Sequence, residues 1–225
     1  MPDNRHILQG IVHGFETIGL VGGGEIGNND FSDLGLFTPI LVAADGGANA
    51  IVAKGQVPDA VIGDLDSLSD AARAVIPADR LHHLPDQNTT DLEKCLAVVE
   101  ARLILGIGFL GGRLDHHLAA CAAIAAAGAP RCLLLGAEDV VFAARGTVAL
   151  DLLPGTRVSL FPMAPVQGSA TGLRWSIEGL NFSLGERTGV SNAATGPVTL
   201  TFEAPGMLVI LPRQALAAAV QALQG

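Results

Sequence analysis

Runs of apolar residues alternate with polar, turn-rich segments through about the first 140 residues of the chain. Continuous apolar runs predict buried strands at residues 18–21, 40–44, 57–62, 104–109 and 131–135. Segments between them predict helices at residues 48–54, 70–76, 90–102 and 118–128. Strands that alternate with helices are typical of an α/β domain with a mainly parallel sheet.

The pattern changes after about residue 140. Short apolar segments separated by proline and glycine predict strands at residues 140–143, 147–152, 157–162, 168–171, 198–202 and 206–211, and a closing helix at residues 213–223. Closely spaced short strands are typical of a small β-sandwich or barrel. We therefore place a boundary near Arg145, between an α/β domain over residues 1–145 and an all-β sandwich over residues 146–225.

Composition narrows the class of protein. Of the 225 residues, 49% are hydrophobic and 16% are charged, which indicates a globular chain with a large core. The formal net charge is -9 and basic residues do not cluster, so no nucleic-acid partner is expected. The three cysteines have no metal-ligand or paired spacing, and the chain has neither a signal-peptide pattern nor an apolar run of about 20 residues. These features predict a reduced, cytoplasmic protein that does not enter membranes.

Two carboxylates follow the strand predicted at residues 57–62. If the chain stays extended there, Asp64 and Asp66 point to the same side, because side-chain direction repeats every two residues. Like charges that lie so close favour a cation between them, and Mg²⁺ is typically held by one or two carboxylates together with substrate phosphates. The alternative is a solvated acidic turn in which Ser67 caps the next helix.

Three further loops place charged or polar groups at predicted strand ends or helix starts. Asp45 and Gly46 end the strand at residues 40–44, and Thr90 with Glu93 has the spacing of a capping box. The loop at residues 86–91 is dense in oxygen-bearing side chains, and it includes Gln87 and Asp91. Arg113 follows two glycines, which suits bidentate phosphate recognition, and Asp115 could orient Arg113, bind metal through water or act as a base. Together these loops predict a site for a polyphosphate and a metal.

A glycine-rich loop follows the first predicted strand. Gly22, Gly24 and Gly27 match the spacing of a dinucleotide-binding fingerprint, and Asp45 lies 23 residues after Gly22. However, the segment after Gly27 is turn-rich and does not open a long amphipathic helix. The loop therefore favours close approach of phosphates or a base over an NAD(P) site.

The predicted β domain contains the single tryptophan of the chain, Trp175. A lone tryptophan in a small β domain is commonly a core residue, and the alternative is a flat platform for an aromatic or cationic ligand. The polar segment at residues 184–192 is predicted to be a loop that could offer hydrogen bonds to a heteroaromatic ring.

The ordered combination of these motifs resembles the thiamine pyrophosphokinase family. The resemblance covers about residues 40–195 and depends on the motifs at residues 44–48, 58–67, 86–94, 111–116, 172–175 and 189–192. Asn88 stands where some members have aspartate, and Leu65 where some have phenylalanine.

The resemblance implies an N-terminal α/β domain, a C-terminal β-sandwich and a homodimer with active sites between subunits. It implies Mg²⁺-dependent transfer of a pyrophosphoryl group from ATP to the hydroxyl of thiamine, giving thiamine diphosphate and AMP. The metal ligands would be Asp64, Asp66, Thr90 and Asp91, and the ATP site would include Asp45, Gly46, Gln87, Arg113 and Asp115. The catalytic residues would be Asp64, Asp66, Asp91, Arg113 and Asp115, while Trp175 would stack on thiamine with Ser191 and Asn192 nearby.

Three other functions remain open, and one of them is a divergent pyrophosphokinase that acts on another alcohol. An NAD(P)-dependent oxidoreductase would use the glycine loop and Asp45, but it leaves the motifs around Asp64 and Asp91 unexplained. A thiamine or nucleotide sensor would keep the pocket without the reaction, and Mg²⁺-dependent release of AMP distinguishes it from the enzyme.

Overall fold

Five parallel strands form the centre of the first part of the chain in the computed structural model, which describes residues 12–225 apart from the side chains of residues 13–15. The strands are β1 (Val12–Val21), β2 (Leu41–Ala44), β3 (Ala60–Gly63), β4 (Leu81–His83) and β5 (Val99–Ile107). Their order is β5-β1-β2-β3-β4, and each neighbouring pair is parallel. The carboxyl ends of the strands therefore meet at one edge, where ligands bind in open α/β sheets.

Five helices begin in this part of the chain. They are α1 (Asp30–Gly35), α2 (Gly47–Ala53), α3 (Asp70–Val75), α4 (Asp91–Val98) and α5 (Leu114–Ala125). All residues of β2 and β3 are buried, as their continuous apolar runs predict. The predicted alternation of strands and helices is confirmed.

Three local predictions in this part of the chain are wrong. Helix α4 ends at Val98 instead of continuing to residue 102, because Val99 takes an extended conformation and begins β5 along the length of β1. The turn-rich segment after Gly27 contains the short helix α1. The strand predicted from residue 57 begins only at Ala60.

Antiparallel strands dominate the rest of the chain. They are β6 (Cys132–Leu135), β7 (Asp139–Ala144), β8 (Thr147–Leu150), β9 (Arg157–Pro162), β10 (Val166–Leu173), β11 (Asn181–Phe182), β12 (Gly189–Phe202) and β13 (Met207–Pro212), followed by α6 (Leu216–Gln224). Strand β12 pairs with β8, β9 and β10, and β13 pairs with β7 and β9. The six predicted strands are present with shifted ends, but residues 189–192, predicted as loop, begin β12.

The chain divides into two compact units between Ala120 and Cys121. Residues such as Leu20 and Ile104 form the core of the first unit, and Phe142 and Leu200 belong to the core of the second. The domain boundary near Arg145 stays a prediction. Within residues 12–225, no helix has both the length and the apolar character to cross a membrane.

Candidate active site

A cavity of about 790 Å³ opens in the first unit, lined by the loops that follow its strands. It brings together most of the polar residues that the sequence predicted there. The predicted residues that line it are Asp45, Gly46, Asp64, Gln87, Thr90, Asp91 and Arg113. Four separate segments of sequence therefore contribute to one site, as their positions at the sheet edge predict.

Three carboxylates at this edge form a cluster, which we call the acidic cluster: Asp45, Asp64 and Asp66. One oxygen from each lies within 4.8 Å of the others. The chain is not extended between Asp64 and Asp66, because Leu65 has φ +63° and the chain turns, but the two carboxylates still come together as predicted. The turn is stabilised by the backbone N–H of Asp66, which donates to Asp64 Oδ1 at 3.3 Å.

The turn also settles the role of the serines that follow it. Ser67 does not cap a helix: its N–H donates to Asp45 Oδ2 at 3.3 Å, and its hydroxyl donates to Asp66 Oδ1 at 2.9 Å. Ser69 is the cap of α3, since its Oγ accepts from the N–H of Ala72 at 3.2 Å. Ser67 is thus a partner of the acidic cluster.

Asp45 is the most deeply buried member of the acidic cluster, with 2% of its surface exposed. Its Oδ1 has no hydrogen-bond partner among residues 12–225. Burial raises the pKa of this carboxyl above its ordinary value, and the charges of Asp91 and Asp64 raise it further against the hydrogen bonds from Ser67. A buried, unpaired oxygen beside two other carboxylates fits a hard cation such as Mg²⁺, whose preferred ligands are oxygens.

We expect Asp45→Asn to stabilise the protein in EDTA at neutral pH. Asparagine tolerates the left-handed conformation of this position, φ +41°, and carries no charge to bury. The expected gain in unfolding free energy is about 1 kcal/mol, because a charged group without a partner costs more to bury than a neutral polar group. Because the raised pKa disfavours ionised Asp45 in the folded state only, the gain should vanish in acid, where this carboxyl is protonated in both states.

Thermal unfolding of both proteins across pH would measure this effect. Asp79→Asn is the matched control, because Asp79 is exposed and does not line the cavity. A melting temperature lowered by Asp45→Asn in EDTA would contradict the prediction.

Lys94 is a site residue that sequence reasoning missed. Its side chain is 5% exposed, and its Nζ lies 3.1 Å from Asp91 Oδ1 and 3.6 Å from Asp64 Oδ2. Burial alone would lower the pKa of Lys94, but the hydrogen bond and charge of Asp91, together with Asp64, raise it above its ordinary value. Lys94 therefore stays charged and joins two carboxylates from different loops. The Asp91–Lys94 spacing on a helix was the only signal in the sequence.

The start of α4 has the predicted capping box. Thr90 Oγ1 accepts from the N–H of Glu93 at 3.3 Å, and the Thr90 N–H donates to Glu93 Oε2 at 2.7 Å. The hydroxyl of Thr90 also donates to Glu93 Oε2 at 2.8 Å, so this hydroxyl has a structural role. Gln87 joins the loop to the acidic cluster, because its Nε2 donates to Asp64 Oδ2 at 3.0 Å.

Arg113 and Asp115 form an exposed pair at the rim of the site. Arg113 donates to both carboxylate oxygens of Asp115, at 3.1 Å from Nε and 2.6 Å from Nη2. These hydrogen bonds lower the pKa of Asp115 to about 2. Of the three roles considered for Asp115, orienting Arg113 is the one that this geometry supports, since a carboxylate of such low pKa is a weak base.

The glycine loop packs directly against the end of β5. The Gly22 N–H donates to the Ile107 carbonyl at 2.8 Å, and the Gly24 N–H donates to the Gly108 carbonyl at 3.0 Å. A β-carbon on Gly24 would lie 2.7 Å from the Gly108 oxygen, so the close approach requires glycine. Gly23 and Gly24 line the cavity, and only the six-residue α1 follows the loop, which disfavours the dinucleotide interpretation.

The predicted substrate-side residues lie in the second unit. Trp175 is 53% exposed, so the interpretation of this residue as part of the core is wrong. The Arg174 guanidinium lies 5.0 Å from the centre of its ring, within the range of a cation–π contact. Ser191 is exposed, whereas Asn192 is buried with 7% of its surface accessible.

Comparison with known proteins finds similarity to thiamine pyrophosphokinases. Residues 33–132 match the family model described as "Thiamin pyrophosphokinase, catalytic domain". The chain is 28% identical over 197 residues to thiamine pyrophosphokinase 1 of Oryza sativa subsp. japonica, which covers 69% of this chain and 75% of that protein. The matched region contains all the residues of the acidic cluster together with Lys94 and Arg113.

Solved structures agree on the fold. Thiamin pyrophosphokinase from Candida albicans superposes with a TM-score of 0.74 at 14% identity, covering 88% of each chain. Thiamine pyrophosphokinase from Bacillus subtilis gives a TM-score of 0.71 at 20% identity, over 88% of this chain and 98% of that one. At these identities the likeness concerns the fold alone.

Proposed function

We propose that this chain belongs to the thiamine pyrophosphokinase family and transfers the pyrophosphoryl group of ATP to the hydroxyl of thiamine, giving thiamine diphosphate and AMP. One observation in particular supports this function at the level of the site. Two members of the acidic cluster, Asp64 and Asp45 with its unpaired buried oxygen, line the same cavity as Arg113 and the start of α4.

The reaction asks the protein to hold an alcohol in line with the β-phosphorus of ATP and to neutralise charge on phosphate oxygens. Bound Mg²⁺ would supply charge neutralisation between phosphate groups. We assign Asp64, Asp66 and Asp91 as the Mg²⁺ ligands, and we add Asp45 to this set. Thr90 remains a fifth candidate ligand. Arg113, oriented by Asp115, would bind phosphate oxygens, while Gly46 and Gln87 would line the nucleotide pocket.

Little covalent help is needed for phosphoryl-type transfer, so the protein acts mainly through positioning and charge. Asp91 is paired with Lys94 and Asp115 with Arg113. In this proposal Asp91 is a metal ligand held by Lys94, and Asp115 orients Arg113. Neither carboxylate is assigned as the base that accepts the proton of the alcohol.

For the second unit, we propose that residues 146–225 form a β-sandwich that binds thiamine through Trp175, with Ser191 nearby. The exposed ring of Trp175 supports this role, because an accessible aromatic face can stack on a flat cationic ligand. A cytoplasmic homodimer with active sites at the subunit interface completes the proposal.

The test is an assay of purified protein with ATP, Mg²⁺ and thiamine in which AMP and thiamine diphosphate are measured together. Equal amounts of both products, abolished by EDTA, are expected. Thiamine binding by calorimetry without either product would favour a sensor. No binding of thiamine would contradict the proposed acceptor.

We expect Trp175→Ala to raise the KM for thiamine by about 10-fold or more, because loss of a stacking partner costs roughly 1–3 kcal/mol. The KM for ATP should change little, since Trp175 does not line the cavity of the first unit. Steady-state kinetics with each substrate varied in turn would measure the difference, and Trp175→Phe should recover most of the affinity. An equal rise in both KM values would contradict a thiamine-specific role.

A further inference from the structure

The side-chain amide of Asn192 bonds to backbone groups through both its nitrogen and its oxygen. Its Nδ2 donates to the carbonyl of Trp175 at 2.7 Å, and its Oδ1 accepts from the N–H of Trp175 at 3.1 Å. The same Oδ1 accepts from the N–H of Ala193 at 2.9 Å. Asn192 therefore holds both polar groups of one residue that lies 17 positions earlier in the chain.

Asn192 lies beside a local irregularity in β12. The register between β12 and β9 shifts between Gly189 and Asn192, and Ser191 has φ +63°. The N–H of Ser191 donates to Oγ of the buried Ser159 at 3.1 Å, which fixes this conformation. Ser191 is exposed, whereas Asn192 is buried, like Ala194 two positions later.

The ring of Trp175 depends on this backbone support. More than half of the residue is exposed, so its side chain gains little from core packing. Besides the bonds to Asn192, the N–H of Arg174 donates to the Ala193 carbonyl at 2.8 Å. The ring is therefore placed by how residues 174–175 are held against β12, and not by burial of the indole.

We propose that Asn192 is a positioning residue that acts on thiamine through Trp175, by fixing the peptide from which the indole projects. This inference differs from direct contact between Asn192 and the substrate, which its burial and its engaged amide disfavour. Its effect on thiamine rests on the proposed function, whereas its effect on Trp175 does not.

The substitution Asn192→Asp tests this role, because it keeps the acceptor for two N–H groups and replaces the donor to the Trp175 carbonyl with an oxygen. As the chain has one tryptophan, its fluorescence anisotropy and its quenching by acrylamide report on Trp175 alone. In the ligand-free protein we expect lower anisotropy and stronger quenching. We also expect the KM for thiamine to rise about 10-fold, because the group that contacts thiamine is misplaced. The kcat and the KM for ATP should stay within about twofold of the wild-type values.

Asn181→Asp is the matched control, since Asn181 is exposed in the second unit and contacts neither Trp175 nor Asn192. It should leave fluorescence and kinetics unchanged. A raised thiamine KM with unchanged tryptophan anisotropy would overturn the proposal in favour of direct contact. Unchanged fluorescence together with unchanged KM would overturn it outright.

Hydrogen exchange on the wild-type protein covers the case in which Asn192→Asp does not fold. The Trp175 N–H should exchange slowly for a residue outside the strands, because Asn192 Oδ1 accepts its hydrogen. If the Trp175 N–H exchanges at the rate of an open loop, Asn192 does not hold the Trp175 backbone and the proposal is refuted. If the enzyme shows no activity on thiamine, the exchange and fluorescence results still decide whether Asn192 holds Trp175.

Discussion

Substituting Asp66 by asparagine should lower kcat/KM by about 100- to 1000-fold, the range seen when one charge-stabilising group is removed from an active site. Asp66 belongs to the acidic cluster, and as an exposed residue it contributes little to packing. The Asp66 carboxylate accepts a hydrogen bond from the hydroxyl of Ser67, and the amide oxygen of asparagine can still accept that hydrogen bond. Fold and activity should therefore separate in this variant, with a melting temperature within about 2 °C of the wild type.

Metal binding by the variant and by a control should be measured beside the kinetics. Binding of Mn²⁺, followed by electron paramagnetic resonance, should weaken in Asp66→Asn and remain normal in the exposed control Asp79→Asn. Turnover close to the wild-type value would remove Asp66 from the proposed metal ligands. Lost turnover with intact Mn²⁺ affinity would instead assign Asp66 to substrate positioning.

Gly47→Ala should be the most destabilising small substitution in the first unit. Gly47 is buried at the first position of α2, and a β-carbon there would overlap the backbone carbonyl of Val21 at the end of β1. Neither the backbone of α2 nor that of β1 can move without disturbing the sheet. We therefore expect the free energy of unfolding to fall by about 3 kcal/mol. For a chain of this length that corresponds to a fall in melting temperature of roughly 10 °C.

Gly35→Ala is the matched control. Gly35 ends α1, and a β-carbon at that position would meet no atom within 4 Å. Alanine should be neutral or stabilise the protein by up to about 1 kcal/mol, because glycine is the poorer helix residue. Thermal or urea unfolding would compare the stability of the wild type, Gly47→Ala and Gly35→Ala. If Gly47→Ala is as stable as the wild type, the contact with β1 relaxes freely and the prediction is wrong.

Four of the five described strands of the first unit were predictable because each contains a continuous apolar run, whereas β4 has the sequence Leu-His-His and was not predicted. The ends of elements were less predictable. Nothing in the periodicity distinguishes the end of a helix at Val98 from one a turn later, and the end is decided by pairing of Val99 and its successors with β1. Tertiary contacts of this kind override local preference.

The candidate site was predictable as a set of loops but not as a geometry. Asp45 joins the acidic cluster because of the registers of β2 and β3, which a single sequence does not contain. Lys94 has the sequence pattern of an ordinary helical lysine, and its burial depends on where the loop carrying Asp64 lies. Asn192 follows a bulge at Ser191, which interrupts the alternation of exposed and buried positions at the start of β12.

The length of β12 has a consequence for synthesis of the protein. Strands β8 and β10 both pair with this later strand, and β9 pairs with β12 and with the still later β13. During translation these three strands leave the ribosome before their partners exist, and unpaired strand edges are prone to association between chains. Chaperone dependence and aggregation of nascent chains should therefore be greatest while ribosomes translate the codons that precede β12.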